Sequence, residues 1–493
     1  MEVVLFYTSL SLLFIFLILK HLSKKHYNLP PSPAPALPLL GHLHILKQPL
    51  HRTLQSFSQT HGPIFSLKFG SRRVVVVSSR KLAEECFTST NDVVFCNRPY
   101  SMANDYFGYN HTTMAGAPYG HHWRNLRRLG AQEVLSVGRL NAFSHIREEE
   151  MRQTLRSLTT SGNEFTKVEL RPKLFELIFN VIMKMLAGNN YSEKGELGEK
   201  FRKMVTGSLE HAQSSNPEDV LPFLRWIDYR GLKKKLIDLG EKLDAMYQNM
   251  LEEHRQEKRN TIIGHLLSLQ ESDPEFYTDQ TIKGFITNMI IAGTDTSIAT
   301  AEWAMSLLLN HPDALQKAKI ELDSQIGHQR LVQEQDLPKL HYLRNIIFET
   351  FRMFPAVPLA VPHESSADCK VGEYDIPRGT ILFLNIWAIQ RDPEVWDNPT
   401  YFKPERFEGK EDEIQKVIPF GMGRRACPGS NLGQRMVGLI LGSLIQCFEW
   451  ERTSLEEVDL AEGIGITMPK LKPLEARYKP RGIMLNILQD LAI

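Results

Sequence analysis

The stretch Phe420-Gly421-Met422-Gly423-Arg424-Arg425-Ala426-Cys427-Pro428-Gly429 holds the residue types best suited to chemistry. A cysteine that binds a metal does so as a thiolate, which must stay deprotonated and shielded. Cys427 is followed by Pro428, Gly429 and a long apolar segment of helical pattern. A helix starting just past the cysteine would aim its N–H groups and its positive end at the sulfur. Gly421, Gly423 and Gly429 remove side chains where main chain must come close to a flat ligand. Arg425 offers a guanidinium that suits a carboxylate. By itself, a lone cysteine reads as a small buried hydrophobe. Gly421, Gly423 and Ala426 also match the G-x-G-x-x-A spacing of a dinucleotide-binding turn. That turn needs a strand before it, a helix after it and an acid ~20 residues on. Pro419 and Pro428 interrupt those contexts, and Glu449 lies at the far end of an apolar helix, so the reading fails.

Other groups need long elements to place them. Asp279 to Leu309 is predicted as one helix, capped by Thr278 and followed by His311-Pro312. At ~1.5 Å per residue it would cross most of the molecule. Ala292-Gly293-Thr294-Asp295-Thr296-Ser297 puts small and polar residues in its middle. Glycine weakens a helix, and a hydroxyl bonding back to a carbonyl one turn earlier bends it. The expected result is a groove that admits dioxygen and water. A kinked helix with a satisfied threonine has the same sequence. Trp123 and Arg127 stand four apart and share a helix face. Glu349 and Arg352 stand three apart on a helix expected from near Leu340, which in isolation reads as a surface ion pair.

Together these segments resemble the cytochrome P-450 enzymes, the heme-thiolate monooxygenases, and the likeness runs from the N-terminus to the last strands. It implies a mainly α fold with a small β-rich lobe and a buried heme b. In that likeness Cys427 is the iron ligand, Phe420 covers the sulfur side of the ring, and Gly421 and Gly429 shape the loop. Trp123, Arg127, Arg425 and His363 are implied as partners of the heme propionates. Thr296 would hydrogen-bond the activated oxygen and order water, and Asp295 would relay protons from solvent. Glu349, Arg352 and Arg406 would form a buried structural network. The pocket residues implied are Met102, Tyr106, Phe107 and Tyr109; Asn288 and Ala292; Val357, Leu359 and Val361; and Ile466. For the first four, an ordinary surface loop reads the same way.

The chain has 493 residues, with 58 basic and 57 acidic side chains and a net charge of +1, so no polyelectrolyte signal for nucleic acid exists. Five cysteines without a C-x-x-C pair argue against a disulfide scaffold or zinc finger. Residues 1–22 are expected as a membrane anchor. Val3–Leu19 is apolar and near the lower limit of ~20 residues for a span, and Lys20, Lys24 and Lys25 follow it. That charge bias places the downstream chain in the cytoplasm, on the endoplasmic reticulum membrane. The sequons at Asn110 and Asn190 would then be silent. Residues 23–41 form a basic, proline-rich hinge, and 42–493 the monooxygenase domain. The chain has no credible flavin or nicotinamide site, so NADPH electrons would come through a separate cytochrome P-450 reductase. Arg124 and Arg128 could face that donor, or simply solvent.

Local patterns predict a hairpin from Ile64–Lys68 and Arg73–Val77, a helix at Lys81–Cys86 and an irregular loop over 98–120. Helices dominate from Leu140 to Lys258, a hairpin turn is expected at Tyr374–Thr380, and a β-rich end near Ile464–Met468 is expected to return a loop to the pocket. The stretches Phe179–Met185, Glu302–Ser306 and Ala292–Ser297 resemble the isoflavone-hydroxylase-like subgroup of plants. That likeness implies a phenolic substrate such as a flavonoid, lignan or benzophenone. Alternatives are an abietane-type terpenoid, oxidative ring formation, a peroxide isomerase that needs no reductase, or a heme-binding sensor. The Asp295-Thr296 pair argues against the last two.

Overall fold

The computed structural model describes residues 27–33, 35–159, 164–188, 195–213, 217–221, 224, 228 and 231–490. Its strands are β1 (Ile64–Phe69), β2 (Arg72–Val77), β3 (Thr166–Glu169), β4 (His363–Glu364), β5 (Cys369–Val371), β6 (Tyr374–Ile376), β7 (Ile381–Leu384), β8 (Phe448–Arg452) and β9 (Glu475–Pro480). Four consecutive valines, Val74 to Val77, are all buried. Such a run suits a strand covered on both faces and flanked on both sides. β2 meets this by pairing antiparallel with β1, from Ile64↔Val77 to Phe69↔Arg72, and parallel with β7. The sheet order is β1-β2-β7-β4. The predicted hairpin is therefore present, turning at Gly70-Ser71 with Gly70 at φ 58.

Helices form the rest of the body. The expected long helix spans Asp279–Asn310, and the Thr278 hydroxyl accepts from the Thr281 N–H at 3.2 Å. Pro312 opens the next helix, Pro312–Gln325, as suits a residue lacking an N–H. Helix Leu170–Ala187 packs on the long helix at Gly293, where an added Cβ would come within 3.1 Å of Ile182. Close helix approach thus accounts for that glycine. Trp303, fully buried, stacks on Phe354 with ring centroids 3.9 Å apart.

Several local expectations need correction. The 98–120 loop contains a helix, Met102–Tyr106. β3 interrupts the helical 140–258 region because β9, about 310 residues later, supplies its hydrogen-bonding partner. Tyr374–Ile376 is strand β6, and the β5–β6 hairpin turns at Gly372. The loop expected at Ile464–Met468 is present, with a bridge between Glu462 and Lys470 at its base. The anchor expected over 1–22 lies outside the described residues. Among those described, no helix is long and apolar enough to cross a membrane. The described part of the hinge is tied to the body: Ser66 donates its N–H to the Pro31 carbonyl at 2.7 Å, and Asn28 donates to Asp375 at 2.9 Å.

Candidate active site

The cysteine loop closes on itself. The Cys427 N–H donates to the Phe420 carbonyl at 2.8 Å, and Gly429 lies close against the sulfur. Helix Ser430–Cys447 begins immediately after Gly429, so its positive end lies beside the sulfur. Burial pushes the thiol up, while the Gly429 N–H and the Arg127 charge pull it down. Cys427 nevertheless keeps open surface, so it faces a cleft within the protein. The Phe420 ring meets Phe351 edge-on at 5.2 Å.

Gly421 and Gly423 have φ values of 71° and 67°, where side chains are strained. That backbone demand comes before any need to clear a ligand, because an added Cβ at Gly421 meets nothing within 4 Å. Gly429 has ordinary backbone, and a Cβ there would sit 3.8 Å from the Cys427 sulfur. At Gly423 a Cβ would also collide with the Asp92 carboxylate. Asp92 accepts the Arg424 N–H at 3.0 Å and pairs with its guanidinium at 3.2 Å. Gly423→Ala is expected to cost ~1–3 kcal/mol through this strain. A lower thermal midpoint and reduced heme content would show it; wild-type values would refute it.

Four cationic or imidazole groups gather beside the loop. Arg425 stacks on Trp123 at 4.3 Å and donates to the carbonyls of Cys96 (2.7 Å), Met114 (3.0 Å) and Ala117. The Trp123 indole also donates to Met114 O, at 3.1 Å, so its one donor is held by main chain. Arg98, which sequence reasoning missed, donates Nη1 to the carbonyls of Val361 (2.6 Å) and Pro362 (2.9 Å). Its Nε is buried without a partner. Arg98, Arg127 and Arg425 make no ion pair with a carboxylate among the described residues, and burial pulls all three down from the usual arginine range. His363 is buried, and burial together with the Arg98 charge keeps it neutral. Its Nδ1 lies 2.7 Å from the Phe95 carbonyl, which requires the proton there and leaves Nε2 an acceptor. A carboxylate needs a donor, so the geometry favours Arg98 over His363 for that role.

These residues fit heme b. Buried cations are costly unless paired, and two propionates would pair them. A thiol at a helix's positive end suits the residue that would hold the iron.

Across the cleft, the long helix carries a ladder of hydroxyls bonded one turn back. Thr294 donates to Ile290 O (2.7 Å), Thr296 to Ala292 O (2.8 Å) and Ser297 to Gly293 O (3.2 Å). Ala292 is exposed and Thr296 half-buried, while Ile290 and Ile298 are buried. The exposed Ala292 lies among half-buried Ile291, Gly293, Asp295 and Thr296, where the groove is expected. Asp295 accepts the Thr467 hydroxyl. Asn288 accepts the Ala115 N–H at 3.2 Å and donates to Gly284 O at 2.6 Å, clasping the 98–120 segment to the helix.

The pocket residues divide. Val361 and Ile466 are 44% and 40% exposed, and Val357 and Leu359 are half-buried. Met102 and Phe107 are core residues instead, because their short helix packs against the helix Leu232–Gln256. Tyr106 lies against Gly240 of that helix, and the Tyr109 hydroxyl donates to Asp244 at 2.9 Å.

Glu349, Arg352 and Arg406 do form one buried network. Glu349 receives Arg352 at 2.7 and 2.9 Å and Arg406 at 2.9 Å, plus the Lys403 N–H at 2.9 Å. Arg352 also donates to the carbonyls of Gln390 and Pro399.

A family model described as cytochrome P-450 matches residues 30–474. Cytochrome P-450 81Q32 of Catharanthus roseus is 55% identical over 496 residues, covering 99% of each chain. The (+)-piperitol/(+)-sesamin synthase of Sesamum radiatum is 53% identical and covers 100% of both. Isoflavone 3'-hydroxylase of Medicago truncatula is 50% identical, over 96% of this chain and 97% of its own.

Proposed function

Since the chain belongs to the cytochrome P-450 family and is a heme-thiolate monooxygenase, we propose that it hydroxylates a small plant phenolic of isoflavonoid or lignan type. The observation carrying this reading is near full-length similarity to a relative named as an isoflavone 3'-hydroxylase and to another named as a piperitol/sesamin synthase. Apolar side chains from two separate segments, Val361 and Ile466, leave surface for such a substrate.

Heme, when bound, supplies dioxygen activation and insertion of one oxygen atom into the substrate. Cys427 is the residue that would hold its iron, with the Gly429 N–H and the helix end favouring the thiolate. Arg98, Arg127 and Arg425 would hold its carboxylates. Thr296 orders water in the groove, and Asp295 passes protons to it from solvent. Residues 1–22 anchor the chain in the endoplasmic reticulum membrane, and NADPH electrons arrive through a separate reductase.

Oxidative ring closure is the second reading, favoured by the 53% identity to the piperitol/sesamin synthase. Product mass separates the two. The chain would be co-expressed with a plant reductase in yeast microsomes and given isoflavones, lignans, benzophenones and abietane diterpenoids, with and without NADPH. An NADPH-dependent gain of one oxygen on a phenolic supports hydroxylation. Loss of two hydrogens supports ring closure. Heme-loaded protein that turns over no phenolic overturns the substrate proposal.

A further inference from the structure

We propose that Thr467 is a positioning residue for the Asp295 carboxylate, holding it at the groove through the hydrogen bond its hydroxyl donates. This rests on the reading of Asp295 as the proton relay. The two residues are 172 apart in sequence, and the loop 462–470 brings them together.

Burial on this loop runs against composition. Thr467 is 7% exposed, while Ile464 and Ile466 are 66% and 40% exposed. Isoleucine ordinarily takes the interior and threonine the surface. Here the loop gives one of its buried positions, next to the buried Met468, to a hydroxyl, and that hydroxyl meets a carboxylate.

The loop is held in register from both ends. The Met468 N–H donates to Ala356 O at 2.9 Å, and the Trp303 indole donates to Met468 O at 2.8 Å. Trp303 lies on the same helix as Asp295, so the residue beside Thr467 is indexed directly to that helix. At the base, Glu462 receives His51 (2.7 Å), Arg52 (2.6 Å) and the Trp387 indole (3.0 Å). Burial would raise this carboxyl, but the His51 and Arg52 bonds hold it down at about 2. On the other leg Lys470 lies over the Trp303 ring at 5.0 Å and donates to the Asp459 carbonyl.

A hydroxyl bonded to a carboxylate makes a charge-assisted bond that fixes the acid's orientation. The same oxygen still accepts hydrogen bonds from water. Coupled turnover converts substrate, O2, NADPH and H+ into hydroxylated product, water and NADP+. When protons reach the wrong oxygen, O2, NADPH and H+ leave as hydrogen peroxide and NADP+. Misplacing Asp295 shifts turnover from the first outcome to the second.

The experiment compares Thr467→Val, Thr467→Ser and Asp295→Asn in the full chain with its reductase, on the panel phenolic that gives product. Hydrogen peroxide and product per NADPH are measured, with the solvent isotope effect and the substrate-binding spectrum. Thr467→Val is expected to lower product per NADPH about tenfold, part of the ~10²–10⁴ that a positioned proton donor contributes. It should raise the peroxide share, alter the isotope effect and leave the binding constant unchanged. Thr467→Ser should restore coupling. Wild-type coupling in Thr467→Val beside an uncoupled Asp295→Asn overturns the proposal alone. Wild-type coupling in Asp295→Asn overturns the relay reading beneath it. Equal losses in the valine and serine variants, or loss of heme from Thr467→Val, reveal a packing latch and also overturn it.

Discussion

A Cys427→Ser variant is expected to keep its fold and lose turnover by ~10³-fold or more, equivalent to ~4 kcal/mol of barrier. The serine hydroxyl is far less acidic than a thiol, so the Gly429 N–H and the helix end cannot hold it as an anion. The electron donation that a thiolate gives to heme iron is then lost. The rest of the loop does not depend on the sulfur, since its closure uses the Cys427 N–H and the Phe420 carbonyl. The carbon monoxide difference spectrum of reduced protein should lose its thiolate form, with unfolding by circular dichroism little changed. A retained thiolate-type spectrum with wild-type product formation would remove Cys427 from the site.

Glu349→Ala should be the most damaging change outside the cleft, at ~3–5 kcal/mol for removing one partner of a buried ion network. Glu349 is 0% exposed and its two oxygens serve both Arg352 and Arg406. Without it, two guanidiniums remain buried with only carbonyl oxygens and the Trp396 ring to face. Glu349→Gln keeps the shape and should cost less, though still measurably, because the charge is gone. Thermal unfolding and heme retention measure both. An alanine variant melting with the wild type would show that the network carries no net stability.

Much of the scaffold was legible because its signals are local. The hydroxyl cap at Thr278 and the proline at 312 bracket the long helix, and its observed limits, Asp279–Asn310, follow them. The Gly70-Ser71 turn between β-rich runs likewise announced β1 and β2. The short segment Thr166–Glu169 carries no such bracket, and it became a strand because β9 lies beside it. Arg98 shows the same limit at the site. Its neighbours Asn97 and Pro99 suggest a loop and nothing more, and the cleft that leaves its Nε without a partner is made by distant segments.

The sequence by itself determined the chemistry: a cysteine in a glycine-rich loop before a helix, and a small, polar turn within a long apolar one. Those are relations among near neighbours, and main-chain geometry carries them directly into structure. Only the tertiary structure decided which charges meet. It put Asp92 against Gly423 and Arg424, left His363 neutral with its Nδ1–H donated to Phe95 O, and set Thr467 on Asp295. A buried polar group needs a partner wherever the chain's closure brings one, and that distance in space is not written in distance along the chain.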